Sequence, residues 1–382
     1  METKRPHSPQ GADLEVRDSS FPLHYSHGRF ALASLLPWAF SQSFWHYAGQ
    51  EVDPAQVVFL DTETTGLSGG VGTHVFMVGL GHLEGDTFRV RQFVLGNPGS
   101  GKPFWERVGE ELRRFSVVVS FNGKCFDFPQ VRTRMDFHRL PHCLPGAHVD
   151  LLYPARRLWR ESLPSCDLGT LERSLLGVMR PGDVPGHIIP ALYFRYLFGG
   201  DRVTLEPIVL HNCRDILSLA ALSGVVWRTL ETGPADGADA PHLYSLGREI
   251  LELGDVDRGI DLLENSIRLG LPPELEARAR LQAARCLRRH GQQARAKEHL
   301  LHLLRAGVPE AFVELAKVLE HCEKDAMAAM ELVNEGLSRG FPGETLRRDL
   351  ERRKERLEKK GRHRVGGGRG QGTPEGTASE HR

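Results

Sequence analysis

Four acidic residues in three short strings are the part of this chain that can do chemistry: Asp61 and Glu63 in VVFLDTETTG, Asp127 in FNGKCFDFP, and Asp215 in LHNCRDILSL. On a strand, residues two apart share a face, so Val57, Phe59, Asp61 and Glu63 make a face that begins apolar and ends acidic. Neighbouring carboxylates repel and are costly to bury unless a cation neutralises them. Hard cations such as Mg²⁺ or Mn²⁺ take oxygen ligands of this kind. On a helix, Ile208, His211, Asp215, Leu219 and Leu222 fall on one stripe that is otherwise apolar, which turns Asp215 inward. An inward carboxylate needs a partner, and a metal shared with Asp61 and Glu63 would supply it. His211 sits one turn before Asp215, placed to take a proton from an attacking water; the plain alternative is a core histidine bonded to a backbone carbonyl.

Asp127 follows the strand-like run SVVVSFNG and precedes a helix expected to begin near Phe128-Pro129. Asn122 and Gly123 can form the tight exit from that strand. Lys124 can meet a phosphate and Phe126 can stack on a base, although an aromatic is a core residue first. The turn Thr64-Thr65-Gly66 would let a substrate backbone come near. Asp150, in HVDLL, is either a supporting group for the site or a helix N-cap.

The elements that must carry these residues can be read around them. VVFLDTE alternates with period two, a Gly-rich bend GLSGGVG follows, and HVFMVGLGHL and FRVRQFVLG read as two further strands. An amphipathic stretch from Phe104 to Phe115 and the strand SVVVSFNG then suggest a mixed sheet flanked by helices. Most of the chain from Asp150 to Val226 reads as helix, interrupted by the Pro- and Gly-rich loop GVMRPGDVPGHIIP. Residues 1–24 read as a disordered N-terminus, 25–230 as this first domain and 231–241 as a linker.

Beyond the linker the texture repeats. Gly247, Ala284 and Ala316 each open a step of seven to Gly254, Gly291 and Glu323. Small residues recur twelve after each opener, at Gly259, Ala296 and Ala328, with Leu263, Leu300 and Leu332 four later. Small residues at fixed places let paired helices approach closely, the sign of a tetratricopeptide-like array over 242–346; the plain alternative is an unrelated helical bundle. From Arg347 to Arg369 there are 11 Lys or Arg against four Asp or Glu. This basic segment (347–382) reads as a helix to about Lys360 and then a disordered tail, able to grip phosphates or to serve as a solvated face.

At 382 residues, two domains are expected, and 40% apolar with 26% charged residues describes a globular protein in water. Lys plus Arg balances Asp plus Glu at 49 each, so bulk charge names no partner. Six scattered cysteines without a C-x-x-C pair fit reduced thiols in a cytoplasmic protein. His138, His142 and Cys143 lack a second half-site at zinc spacing. FALASLLPWAF, from Phe30 to Phe40, is too short to span a bilayer and lies too far in for a signal peptide, so no membrane partner is expected.

Together, DTETTG, the N-x-x-x-F-D-x-P pattern around Asp127 and H-N-x-x-D around Asp215 resemble the motifs of the DEDD exonucleases of the ribonuclease H-like superfamily. More narrowly the chain is similar to the YprB-type bacterial proteins, through FNGKCFDFPQVRTR, HVDLLYPARRLWRESLPSCDLGTLE, DVPGHIIPALYFRYL and ELAKVLEH, over roughly residues 25 to 360. The resemblance implies an α/β (α+β) ribonuclease H-like domain with a mixed central sheet flanked by helices, followed by an all-α tetratricopeptide-like helical repeat domain. It implies two Mg²⁺ or Mn²⁺ ions, with Asp61 bridging them, Glu63 and Asp215 on one and Asp127 serving the other. It implies 3′–5′ exonuclease action on single-stranded DNA or RNA, with a protein partner or the strand itself guided by the repeats. One departure stands out. The catalytic His of the proofreading branch precedes the last Asp by five residues, whereas His211 precedes Asp215 by four, the spacing of the branch that carries Tyr. His211 is therefore either a base or a group that orients water. A nuclease-like scaffold that binds without cutting and a structure-specific endonuclease are the competing functions.

Overall fold

The structure, a computed structural model, describes residues 14–35, 41–66, 73–199, 202–341 and 343–366. The chain divides into two compact units, Met1–Ala238 and Asp239–Arg382.

In the first unit, six strands form one mixed sheet in the order β1-β6-β5-β4-β7-β8: β1 (Leu14–Pro22), β4 (Val57–Thr64), β5 (Val75–Glu84), β6 (Thr87–Leu95), β7 (Val117–Ser120) and β8 (Ala147–Asp150). β1, β6, β5 and β4 pair antiparallel, while β4, β7 and β8 run parallel. The runs VVFL and VVVS sit at the sheet centre and are buried on both faces, as continuous β-branched runs require. Two residues join β5 to β6, and Gly85 supplies the positive φ of 59° that so tight a hairpin turn needs. A small hairpin, β2 (Ser26–His27) and β3 (Phe30–Ala31), leads into α1 (Leu32–Leu35) and α2 (Gln42–Ala48).

Helices α3 (Gly101–Leu112), α4 (Asp127–Phe137), α5 (Leu152–Trp159), α6 (Leu168–Leu171) and α7 (Ile189–Gly199) precede the long α8 (Glu206–Thr232). One core joins Val58, Leu60, Phe93 and Val118 of the sheet to Val108 of α3, Val131 of α4 and Tyr193 of α7. Each such side chain withdrawn from water is worth about 1.5–3 kcal/mol. Helix α8 packs on β4 and β5. It comes close because β5 carries glycines there: a Cβ on Gly79 would stand 2.1 Å from Asn212 Oδ1, and one on Gly81 2.3 Å from Ile216 Cγ2. By length and composition α8 could cross a membrane, but its apolar window is 72% buried, as in a core helix.

Among the described residues the second unit is built of helices, α9 (Ala240–Glu252), α10 (Val256–Arg268), α11 (Pro273–Arg289), α12 (Gln293–Arg305), α13 (Glu310–Lys317), α14 (Ala326–Ser338) and α15 (Glu344–Gly366). Consecutive helices pack on one another. Between α9 and α10, Gly247 and Gly259 permit near contact of backbones: a Cβ on Gly247 would meet the Gly259 carbonyl oxygen at 3.1 Å. In the third pair the expected positions shift by one. Ala329 and Val333 are the fully buried residues rather than Ala328 and Leu332, and the left-handed residue is Lys324 (φ 61°) rather than Glu323. A π-helical turn at Val318–Cys322 inserts the extra residue.

Three expected boundaries are corrected. Residues 14–22 are not disordered but form β1, which pairs with β6 along its whole length and adds ion pairs such as Arg91 to Asp18; residues 1–13 lie outside the described residues. The connection between the units is the shorter stretch 233–239, because α8 runs on to Thr232 and Asp239 caps α9. Helix α15 continues past Lys360 to Gly366. Its Arg353, Arg356 and Lys360 all bind the carboxylate of Glu320, so these three are structural cations and not a free grip on phosphate. Of the Gly-rich bend after β4, residues 67–72 lie outside the described residues.

Candidate active site

Strand β4 ends in the acids. Asp61 lies opposite Gly79 of β5, on the side where α8 crosses, and a register shift between Glu63 and Thr64 ends the regular ladder at this point. Asn212 of α8 donates from Nδ2 to Asp61 Oδ2 at 2.8 Å and accepts from Gln92 Nε2 at 2.8 Å. Gln92 also donates to the Val209 carbonyl, so a buried amide chain fixes one oxygen of Asp61. This is why β5 needs Gly79: any side chain there would displace Asn212.

Asp127 opens α4 and accepts the hydroxyl hydrogen of Thr62. The loop before it is held by Asp150, whose carboxylate accepts from the backbone nitrogens of Asn122 (2.7 Å) and Lys124 (3.0 Å) as well as from Leu152 (3.1 Å). Asp150 is not the N-cap of α5, a place taken by Leu151; its carboxylate instead shapes the loop that delivers Asp127 and holds the Leu152 nitrogen at the turn into α5. Asn122 takes a left-handed φ of 62°, and Gly123 has no room for a Cβ, which would stand 2.3 Å from Ser120 Oγ.

Asp215 and His211 face the same region from α8. Donor atoms of Glu63, His211 and Asp215 lie within 4.8 Å of one another, a spacing that one cation can span. His211 Nε2 is 3.4 Å from Asp215 Oδ2, and its Nδ1 is 3.1 Å from Asp183 Oδ2. The plain alternative for His211, a bond to a backbone carbonyl, is not what the structure has. Glu172, Asp183, His211 and Asp215 line a cleft of about 740 Å³.

The acids at the end of β4 and the start of α4 are buried, and neighbouring carboxylates crowd them. Burial pushes Asp61 well above the ordinary aspartate value, and the neighbouring charges of Asp215, Glu63 and Asp127 add to it. Glu63 is pushed well up by burial and then by Asp215, Asp127 and Asp183, with Arg180 opposing. Burial carries Asp127 to about 6 despite the Thr62 bond. Three carboxyls that resist ionising together, with only oxygen and one imidazole as donors, suit divalent cations. The residues present fit such ions.

Not every expected contact is available. Thr64 is buried on the other face of β4 and its hydroxyl donates to the Gly66 carbonyl at 2.7 Å, so it is spent on the turn. Lys124 is exposed, with its ammonium 5.5 Å over the ring of Tyr153. Phe126 is half-buried, while the fully packed ring of this loop is Phe128, stacked on His148 at 3.8 Å. Sequence reasoning missed Asn212, Asp183, Arg180 and Glu172. Asn212 was within reach, three residues before Asp215 on one helix; the others come from a loop and an irregular turn with no periodicity to betray them.

Residues 58–227 match the family model of the RNase_H superfamily. The chain is also 29% identical over 333 residues to YprB of Bacillus subtilis (strain 168), described as an uncharacterized protein; the match covers 85% of this chain and 80% of that one. The first unit thus contains a ribonuclease H-like domain, and the described residues of the second form a helical region.

Proposed function

We propose that the ribonuclease H-like domain is a cation-dependent nuclease, a DEDD-type 3′–5′ exonuclease acting on single-stranded DNA or RNA. The observation that carries this reading is the gathering of Asp61, Glu63, Asp127 and Asp215 from β4, α4 and α8, with the first three driven toward the protonated state. Two Mg²⁺ or Mn²⁺ ions would supply Lewis acidity to the attacking water and to the leaving 3′ oxygen. Asp61, Glu63 and Asp215 would hold one ion, with Asp61 shared and Asp127 serving the second.

The remaining residues orient these groups. Asn212 keeps one Asp61 oxygen turned to α8. Asp183 engages His211 Nδ1, which leaves Nε2 toward the cleft to take a proton from water or to orient it. Asp183 is suited to this: burial raises it, but His211 and Arg180 outweigh burial and hold it below the usual aspartate value. Lys124, Asn122 and Phe126, on the loop before α4, would meet the strand. We further read the helical unit as a tetratricopeptide-like array that docks a protein partner or guides the strand.

A second reading, a nucleic-acid-binding scaffold with little cleavage, draws on the pairing of Asp215 with Arg180. End-labelled linear and circular single strands of DNA and RNA, given Mg²⁺ or Mn²⁺, separate these outcomes. Stepwise shortening of linear strands alone supports the exonuclease. Cutting of circles would replace it with an endonuclease, and no cleavage of any strand would favour the scaffold.

A further inference from the structure

Arg180 stands in the wall of the cleft among three carboxylates. Its Nη2 donates to Asp215 Oδ1 at 2.5 Å and to Glu172 Oε1, and its Nη1 donates to Asp183 Oδ2 at 3.1 Å. The seat is built for this guanidinium. The Glu172 side chain is 3% exposed, and the oxygen that receives Arg180 also accepts the Ser218 hydroxyl. His27 Nε2 meets that hydroxyl in turn at 2.7 Å, so the polar chain runs on into the β2–β3 hairpin.

The backbone that delivers Arg180 is fixed as well. Glu172 opens a π-helical turn, Glu172–Leu176, which closes at Gly177 with φ 67°. The hairpin grips this turn: the Arg29 nitrogen donates to the Leu176 carbonyl at 2.7 Å, and a Cβ on Gly28 would stand 2.2 Å from the same oxygen. The loop that carries Arg180 to Asp215 therefore starts from a turn held by the hairpin.

Arg180 takes only one oxygen of Asp215. The other, Oδ2, faces His211, in the corner where Glu63, His211 and Asp215 can share an ion. A fixed positive charge bonded to a ligand opposes the arrival of a second positive charge at that ligand.

We propose that Arg180 is a resident counter-cation for Asp215: it limits Asp215 to one oxygen for the metal and competes with the divalent ion, so that the free protein binds that ion weakly. The proposal rests on the metal reading of the cleft, and its test is chosen to fail separately from that reading. Mn²⁺ would be titrated into the full-length protein without substrate, followed by the EPR signal of the free ion, for wild type, Arg180→Gln and Arg180→Lys. Far-UV circular dichroism and melting temperature would monitor the fold. We expect Arg180→Gln to bind Mn²⁺ at least about tenfold tighter and Arg180→Lys, which keeps the charge and the fold, to stay within about threefold of wild type. Unchanged or weaker binding by a folded Gln variant would overturn the proposal, and so would a Lys variant that also gains tenfold. Binding by none of the three proteins would instead remove the metal reading on which it stands.

Discussion

Buried acids occur in both units, and their surroundings are opposite. In the helical unit Glu320 is the hub for Arg353, Arg356 and Lys360, and Glu314 is paired with Arg285 and Lys317. Burial alone would raise Glu320, but bonds to Arg356 and Lys360 more than offset it and hold the group at about 2. In the first unit Asp61, Glu63 and Asp127 are driven up, by burial first and then by neighbouring carboxylates, and Arg180 opposes this at Glu63. The same residue type is a structural tie in one place and an unneutralised ligand set in the other. A carboxylate cluster that the chain itself leaves unpaired is where an outside cation is expected.

The sharpest way to break this contrast is to remove one acid from each unit. Asp61→Asn should lower Mn²⁺-dependent cleavage at least about a thousandfold, since the shared ligand is lost, while the metal-free melting temperature holds or rises as repulsion is relieved. Glu320→Gln should do the reverse. It strands Arg353 and its neighbours and should cost the helical unit about 1–3 kcal/mol by urea unfolding, the exposed partners keeping the loss below that of a fully buried pair. Its Mn²⁺ binding should match wild type. A Glu320 variant that melts unchanged would show that the cluster is decoration.

Gly79→Ala tests how the acids are held. Its methyl would meet Asn212 and break the bond to Asp61, with an expected loss of about 1–3 kcal/mol and a fall in cleavage of about tenfold. Wild-type stability and cleavage together would mean that Asn212 does not position Asp61.

The smallest effect is one of pH, and its sign differs between the units. Asp61, Glu63 and Asp127 keep protons in the folded state that the unfolded chain has lost, so without metal they destabilise the first unit as pH rises from about 4 through the raised values, about 6 for Asp127. Added Mn²⁺ should cancel that decline. Glu320 has the opposite sign: its contribution is present above about 4.5 and is lost as pH falls toward 2. Melting curves at stepped pH, with and without Mn²⁺, check both; a first unit indifferent to pH from 4 to 7 would contradict the crowding of its acids.

The sequence was most legible where periodicity governs. Period two aligned Asp61 with Glu63, helical spacing aligned His211 with Asp215, and both pairs stand as those periods require. It was least legible where an element lacks an apolar face of its own. LEVRDSSFP reads as polar coil, yet as an edge strand it needs only a ladder with β6 and ion pairs along it. The one-residue slip of the third helical pair comes from a π-helical turn that leaves no mark in composition. Arg180 and Asp183 belong to a Pro- and Gly-rich loop, and Glu172 to a second π-helical turn; they meet Asp215 only through tertiary packing.

The measurement closest to the central claim is a count of Mn²⁺ ions bound by the metal-free chain at saturation, by equilibrium dialysis, for wild type and Asp61→Asn. The account predicts two ions on wild type and fewer than one on the variant, both proteins being folded. No ion on wild type, or equal binding by Asp61→Asn, would contradict it.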